Sequence, residues 1–233
     1  IKYDHLWGSI GVFTTIRIFG IKPKYVFINE HLNQLNKSLK KFNIPFSLTQ
    51  TKLLDLIPNN LRIKKYDHLL RIAVKKNILS LSLRPRLQPK KKFKCSLVNY
   101  QRSNALIKNL QYKKILSMQK EIDMQKEEIL FFKNKNLLEG STTNLIIIKK
   151  NKIILPKGNI YEGITLKFLL SKISKNYSTK FIKFGDLETA DEIILVGSGK
   201  GVLQVSSIPS IKWFSSSSKM FNRLLGIYNK QLK

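Results

Sequence analysis

No apolar stretch in this 233-residue chain runs far before a lysine, an asparagine or a glycine breaks it. The richest, Leu145-Ile146-Ile147-Ile148, stops at Lys149-Lys150. That length suits a buried strand and falls far short of the roughly 20 apolar residues a membrane-crossing helix needs. The chain must bury its apolar residues in short elements, and a 42% hydrophobic content is enough for one sizeable core or two small ones.

Two periods alternate along it. Val12 to Ile18 is β-branched and aromatic between glycines and reads as a strand, and Asn29 or Glu30 opens a helix with Leu32, Leu35, Leu39 and Phe42 on one face. A short helix is expected around Leu53, Leu54 and Ile57. Strands are expected over 68–74 and 78–83, joined by a turn at Lys75-Lys76-Asn77. After a strand over 95–100, Leu110, Ile115, Met118 and Ile122 make a helical stripe that places Lys108 at a helix start. Strands over 128–132 and 144–149 flank a loop containing Glu139-Gly140-Ser141. Thr165 opens a further helix, strands near 193–196 and 202–206 flank Gly197-Ser198-Gly199-Lys200-Gly201, and Met220, Leu224 and Ile227 mark a last helix. Strands and helices mixed in both halves imply an α+β fold of two domains, 1–100 and 108–233, with 101–107 connecting them.

The formal charge of +29 suggests polyanion binding. Only seven of the 43 basic residues are arginine, however, which fits lysines spread over solvated faces in a chain drawn from AT-rich coding. No specific nucleic-acid partner, no membrane and no metal are expected. The lone Cys95 fits a reducing, cytoplasmic setting. The chain begins at Ile1, so a segment before it is an open expectation.

Singly, Lys108, Glu139, the Gly163-Ile164-Thr165 turn and Gly197-Ser198-Gly199 are each read as readily as surface charge, cap, helix start and turn. As an ordered set they resemble the class IV aminotransferases. Gly11-Val12-Phe13-Thr14-Thr15-Ile16-Arg17, His31-Leu32-Asn33-Gln34-Leu35, Ile107-Lys108 through Tyr112, Glu139-Gly140-Ser141-Thr142-Thr143-Asn144, Gly163-Ile164-Thr165 and Ala190-Asp191-Glu192 occur in the family's order. The resemblance implies the two-domain fold of fold-type IV enzymes, a homodimer, and pyridoxal 5'-phosphate (PLP) as cofactor. It also implies that Lys108 carries PLP covalently and moves the proton at the substrate's Cα. Glu139 would keep the pyridine nitrogen protonated. Ile164 and Thr165 would hold the phosphate by backbone N–H groups, joined by Ser198 and Gly199. Tyr112 would reach the ring's phenolic oxygen or simply fill the core. Three departures stand out. Gln34 replaces a phosphate-binding arginine, with Lys37 and Lys200 the nearest cations by sequence to compensate. Leu166 stands where arginine is common. The strand before the early glycines is absent.

The short chain and Phe13-Thr14-Thr15, where branched-chain enzymes more often carry glutamate after phenylalanine, lean toward aminodeoxychorismate lyase acting on a small amino substrate. A branched-chain or D-amino-acid transaminase, a decayed enzyme, and a non-catalytic basic polyanion-binding protein are the other readings. Arg17, Arg71, Arg84 and Arg86 are the candidate substrate cations.

Overall fold

A computed structural model describes residues 5–57, 63–173 and 177–233. The chain divides into two compact units: the first holds 1–86, 107–114 and 232–233, and the second holds 87–106 and 115–231. The division therefore differs from the boundary read at 101–107. The strand over 94–99 pairs with 127–132 and belongs to the second unit, whereas 107–114 returns to the first and bonds to its opening strand.

In the first unit, β1 (Val12–Gly20) is central to an antiparallel sheet of order β2-β1-β3-β4, with β2 Lys24–Tyr25, β3 Tyr66–Lys75 and β4 Ile78–Pro85. Alternation assigns its two faces. Val12, Ile16 and Ile18 of β1 and Leu70, Ile72 and Val74 of β3 share a core with Leu32, Leu35 and Leu39 of α1 (Ile28–Lys41) and Leu53 of α2 (Gln50–Asp55). The other face mixes polar and charged side chains with Phe13, Leu69 and Ala73. The register places Thr15, Arg71 and Ser82 in one row and Arg17, Leu69 and Arg84 in the next.

The second unit packs two sheets over one core. One has order β10-β9-β8-β12-β13, from β8 (Asn144–Lys149), β9 (Lys152–Pro156), β10 (Tyr177–Lys180), β12 (Glu192–Gly197) and β13 (Gly201–Gln204). The other has order β11-β7-β6-β5-β14-β15, from β5 (Lys94–Asn99), β6 (Glu127–Lys133), β7 (Asn136–Gly140), β11 (Ile182–Lys183), β14 (Ser207–Ile208) and β15 (Trp213–Phe214). Leu130 and Leu137 meet Leu145, Ile193 and Leu195 between them. The helices are α3 (Lys113–Lys120), which starts in the first unit, α4 (Ile164–Lys172), α5 (Phe184–Glu188) and α6 (Lys219–Asn229). Glu192, almost fully buried, caps α6 by accepting from Met220 N at 2.9 Å and Phe221 N at 2.7 Å. The α+β fold is as the sequence implied.

Two local expectations are corrected. The stretch 133–143 is no simple loop: Asn134 (φ 50°) and Lys135 (φ 62°) form a tight hairpin turn, so Glu139 lies on β7. Lys108 does not start a helix either. Residues 107–112 are irregular, with bends at 107 and 110, and α3 begins only at Lys113. The apolar residues Leu110 and Ile115 are both fully buried, but they sit on that irregular segment and on a helix respectively.

Candidate active site

Lys108 is half-buried and held by backbone bonds on either side. Phe13 N donates to Lys108 O at 2.9 Å and Leu110 N donates to Gly11 O at 2.9 Å, with a bridge between Val12 and Asn109. The approach explains Gly11: a Cβ there would overlap the Val74 carbonyl and the Leu110 side chain. Lys108 Nζ stands 5.1 Å from the centre of the Phe13 ring. Phe13 packs edge-on to Trp7 and Tyr112 at 4.9 and 5.4 Å, and Trp7 stacks on Tyr112 at 5.6 Å. Tyr112 thus sits in an aromatic wall beside Lys108. The Arg71 guanidinium lies 4.4 Å from the Trp7 ring and donates to His5 O at 3.0 Å. Arg17 and Arg86 both donate to Asp67 Oδ1, at 3.0 and 2.9 Å. Burial pushes the Asp67 carboxyl up, but the Arg86 hydrogen bond and the charges of Arg17 and Arg86 outweigh it and hold the group below its ordinary value. One carboxylate is thus shared by two guanidinium groups; Arg84 is exposed at its edge strand.

Behind β1, Thr14 Oγ1 and His31 Nδ1 share a 2.7 Å hydrogen bond. Burial, and then the charge of Lys108, lower the His31 pKa to about 3, so the ring is neutral. Gln34 is on the same helix, half-buried, where the family pattern has arginine.

The second unit carries Glu139, Ile164, Thr165, Ser198 and Gly199, and gathers them around one loop. Arg102 grips Glu139 with a fork, Nε to Oε1 at 2.7 Å and Nη2 to Oε2 at 2.8 Å, both side chains buried. Asn144, which closes the loop, donates to Tyr161 O at 2.5 Å and accepts from Gly163 N at 2.9 Å. It thereby ties the loop to the N-terminus of α4, and a Cβ on Gly163 would stand only 2.7 Å from its Oδ1. Gly197, before the turn with Ser198 and Gly199, is so close that its Cβ would lie 3.1 Å from Thr142 O. Burial pushes the Tyr161 phenol up to about 12, against the opposing charge of Arg102, so it stays protonated. Lys200 is turned to the Met124 carbonyl and the face of Phe93.

The sequence motif of the amino-transferase class IV family matches residues 11–208. The chain belongs to this family. A Methanocaldococcus jannaschii protein provisionally assigned as a branched-chain-amino-acid aminotransferase is 25% identical over 99% of this chain and 88% of its own length. Among solved structures, a provisionally assigned 4-amino-4-deoxychorismate lyase from Legionella pneumophila superposes with a TM-score of 0.79 at 20% identity, covering 99% of this chain and 96% of that one. The PLP form of a branched-chain amino acid aminotransferase from Thermobaculum terrenum gives 0.75 at 18% identity, covering 98% and 87%. At these identities the structures show a shared fold. This class IV aminotransferase-family chain is an enzyme, and the cofactor of the family is PLP.

The residues present fit that group. Ile164 and Thr165 are buried at the start of α4, yet no side chain caps that helix, which leaves a recessed set of backbone donors suited to a phosphate. Glu139 is a buried carboxylate with its orientation fixed. Arg102 was not singled out from the sequence, and Asn144 and Tyr161 stood there only as members of motifs with no role assigned. Arg102 is one of only seven arginines in a lysine-rich chain, which was a signal that a bidentate partner was needed.

Proposed function

We propose that the chain is a 4-amino-4-deoxychorismate lyase, cleaving pyruvate from its substrate and leaving 4-aminobenzoate. The observation that carries this is the arginine cluster on one face of the first sheet. Arg17, Arg71, Arg84 and Arg86 lie along it with Asp67 as counter-charge to two of them, beside the aromatic wall of Trp7, Phe13 and Tyr112. Such a face suits a planar ring bearing more than one carboxylate better than a branched aliphatic side chain, which would call for an apolar pocket.

Bound PLP supplies an electron sink for the bonds at the substrate's Cα. Lys108 would hold the cofactor covalently and would move the proton at the substrate's Cα. Glu139, oriented by Arg102, would favour the protonated form of the ring nitrogen. The N–H groups at Ile164 and Thr165, with Ser198 and Gly199, hold the phosphate, and Arg71 and Arg84 receive the substrate carboxylates. Homodimer formation is part of the same reading.

The second reading is an amino-acid transaminase using 2-oxoglutarate; the Methanocaldococcus relative favours it, and the arginines would also take a dicarboxylate. Incubating PLP-loaded protein with aminodeoxychorismate, and separately with branched-chain or D-amino acids plus 2-oxoglutarate, separates the two. Pyruvate and 4-aminobenzoate in the first mixture support the lyase, and glutamate in the second, with none of these products in the first, overturns it.

A further inference from the structure

Glu128 is fully buried on β6, where it follows Glu127 and precedes the apolar run Ile129, Leu130 and Phe131. Its hydrogen bonds come from neutral donors. Oε1 accepts from Ser141 Oγ and from Ile129 N at 3.1 Å, and Oε2 accepts from Thr142 Oγ1 at 2.7 Å. Gln119 Nε2 on α3 donates to the same Ser141 Oγ at 2.8 Å, so that hydroxyl is fixed from two sides. A carboxylate withdrawn from water with only neutral hydrogen-bond donors among the described residues is costly, and an apolar residue would serve β6 better. Glu192 shows what a purely architectural buried carboxylate does here, since it caps a helix end. Glu128 instead clamps both residues that follow Glu139-Gly140. It also packs beneath Gly140, where a Cβ would come within 3.4 Å of its Cγ.

We infer that Glu128 is a positioning residue that sets Glu139, acting through the Ser141-Thr142 turn. Two backbone bonds, Gly140 N to Thr143 O at 2.9 Å and Ser141 N to Ile129 O at 2.8 Å, define the turn, and the hydroxyl clamp fixes its remaining freedom. Because Asn144 binds Gly163 and Thr142 O abuts Gly197, the clamp also holds the frame joining Glu139 to the α4 N-terminus and the Ser198 turn. Arg102 fixes the end of the Glu139 side chain, while Glu128 fixes its backbone. The inference rests on Glu139 as the partner of the PLP ring nitrogen.

The test is a double-mutant cycle on the full PLP-loaded chain, read by PLP affinity and by the pH midpoint of the visible absorption band, neither of which needs a known substrate. Glu128→Ala should weaken PLP binding about tenfold and move the midpoint by half a unit or more, since small displacements of a preorganised group are amplified at a site. Glu128→Gln, whose amide can still meet both hydroxyls, should recover most of both. In a Glu139→Gln background, Glu128→Ala should change the midpoint no further. Should Glu128→Ala fail to fold, Thr142→Val removes one of the three bonds and should shift both readouts the same way by less. A Glu128→Ala protein that melts earlier but keeps the wild-type midpoint and affinity would reduce Glu128 to architecture. Additive shifts in the Glu139→Gln background would show that it acts elsewhere. If Glu139→Gln alone leaves the midpoint unmoved, the role of Glu139 falls first and this inference with it.

Discussion

Lowering the pH from 7 to 5 should weaken the first unit through one side chain, His31. It is buried against Thr14, and burial followed by the charge of Lys108 brings its pKa to about 3 from an ordinary 6.5. Unfolding returns the ring to water, where it titrates normally, so below pH 6.5 the unfolded chain takes up a proton that the folded chain refuses. The stability that a neutral His31 contributes is therefore complete above 6.5 and is lost as pH falls toward 3. The loss is about 1.4 kcal/mol per pH unit, hence about 2 kcal/mol at pH 5. His31→Asn keeps a polar atom near the Nδ1 position and cannot titrate. Its smaller volume should cost about 1–2 kcal/mol at pH 7. That deficit should disappear by pH 5, where the variant should match or exceed wild type. Urea unfolding of the apoprotein at fixed ionic strength measures this, with Trp213→Phe as background so that Trp7 alone reports on the first unit. A deficit that is the same at pH 7 and pH 5 would refute the buried neutral imidazole.

Borohydride reduction of the PLP-loaded protein should fix the label on Lys108, and a peptide map with label on Lys113 or Lys114 would contradict the assignment; Lys108→Ala should abolish turnover. Arg102→Ala should lower stability by about 3–5 kcal/mol in thermal or urea unfolding, because it strands the buried Glu139 carboxylate. Gln34→Arg should tighten PLP binding several-fold, measured by cofactor titration of the apoprotein, since a charge-assisted pair is worth about 1 kcal/mol more than a neutral amide contact; unchanged affinity would remove position 34 from cofactor binding.

The family was legible because its signature is written in short ordered motifs. Asn144, Gly163 and Gly197 explain why: they are packed so closely that spacing alone constrains them. What escaped the sequence was partnership. Nothing local to Arg102 points to Glu139, 37 positions away, and Glu128 looks like one more charge beside Glu127 and Lys126 until β6 turns it inward. The misplaced helix at Lys108 has a different cause. The helical spacing of Ile115, Met118 and Ile122 does not extend back to Leu110, five positions before Ile115, and Lys108 and Leu110 pair instead with Phe13 and Gly11. The hairpin leading to Glu139 was hidden because Asn134-Lys135 lacks the glycine that usually marks such a turn.

That missing glycine recurs. Lys76, Asn134, Lys135, Lys150 and Asn151 all adopt left-handed backbone at hairpin turns, with φ between 46° and 62°. A residue with a side chain is held there at a cost of about 1 kcal/mol relative to glycine, less for asparagine. The hairpins nevertheless keep their register, because the strands they join, such as β8 and β9 with Ile147 opposite Ile154, are locked by the core on either side. Strand register here is thus set by the core and not by turn identity. The chain therefore holds a reserve of stability at those turns, open to recovery by substitution with glycine.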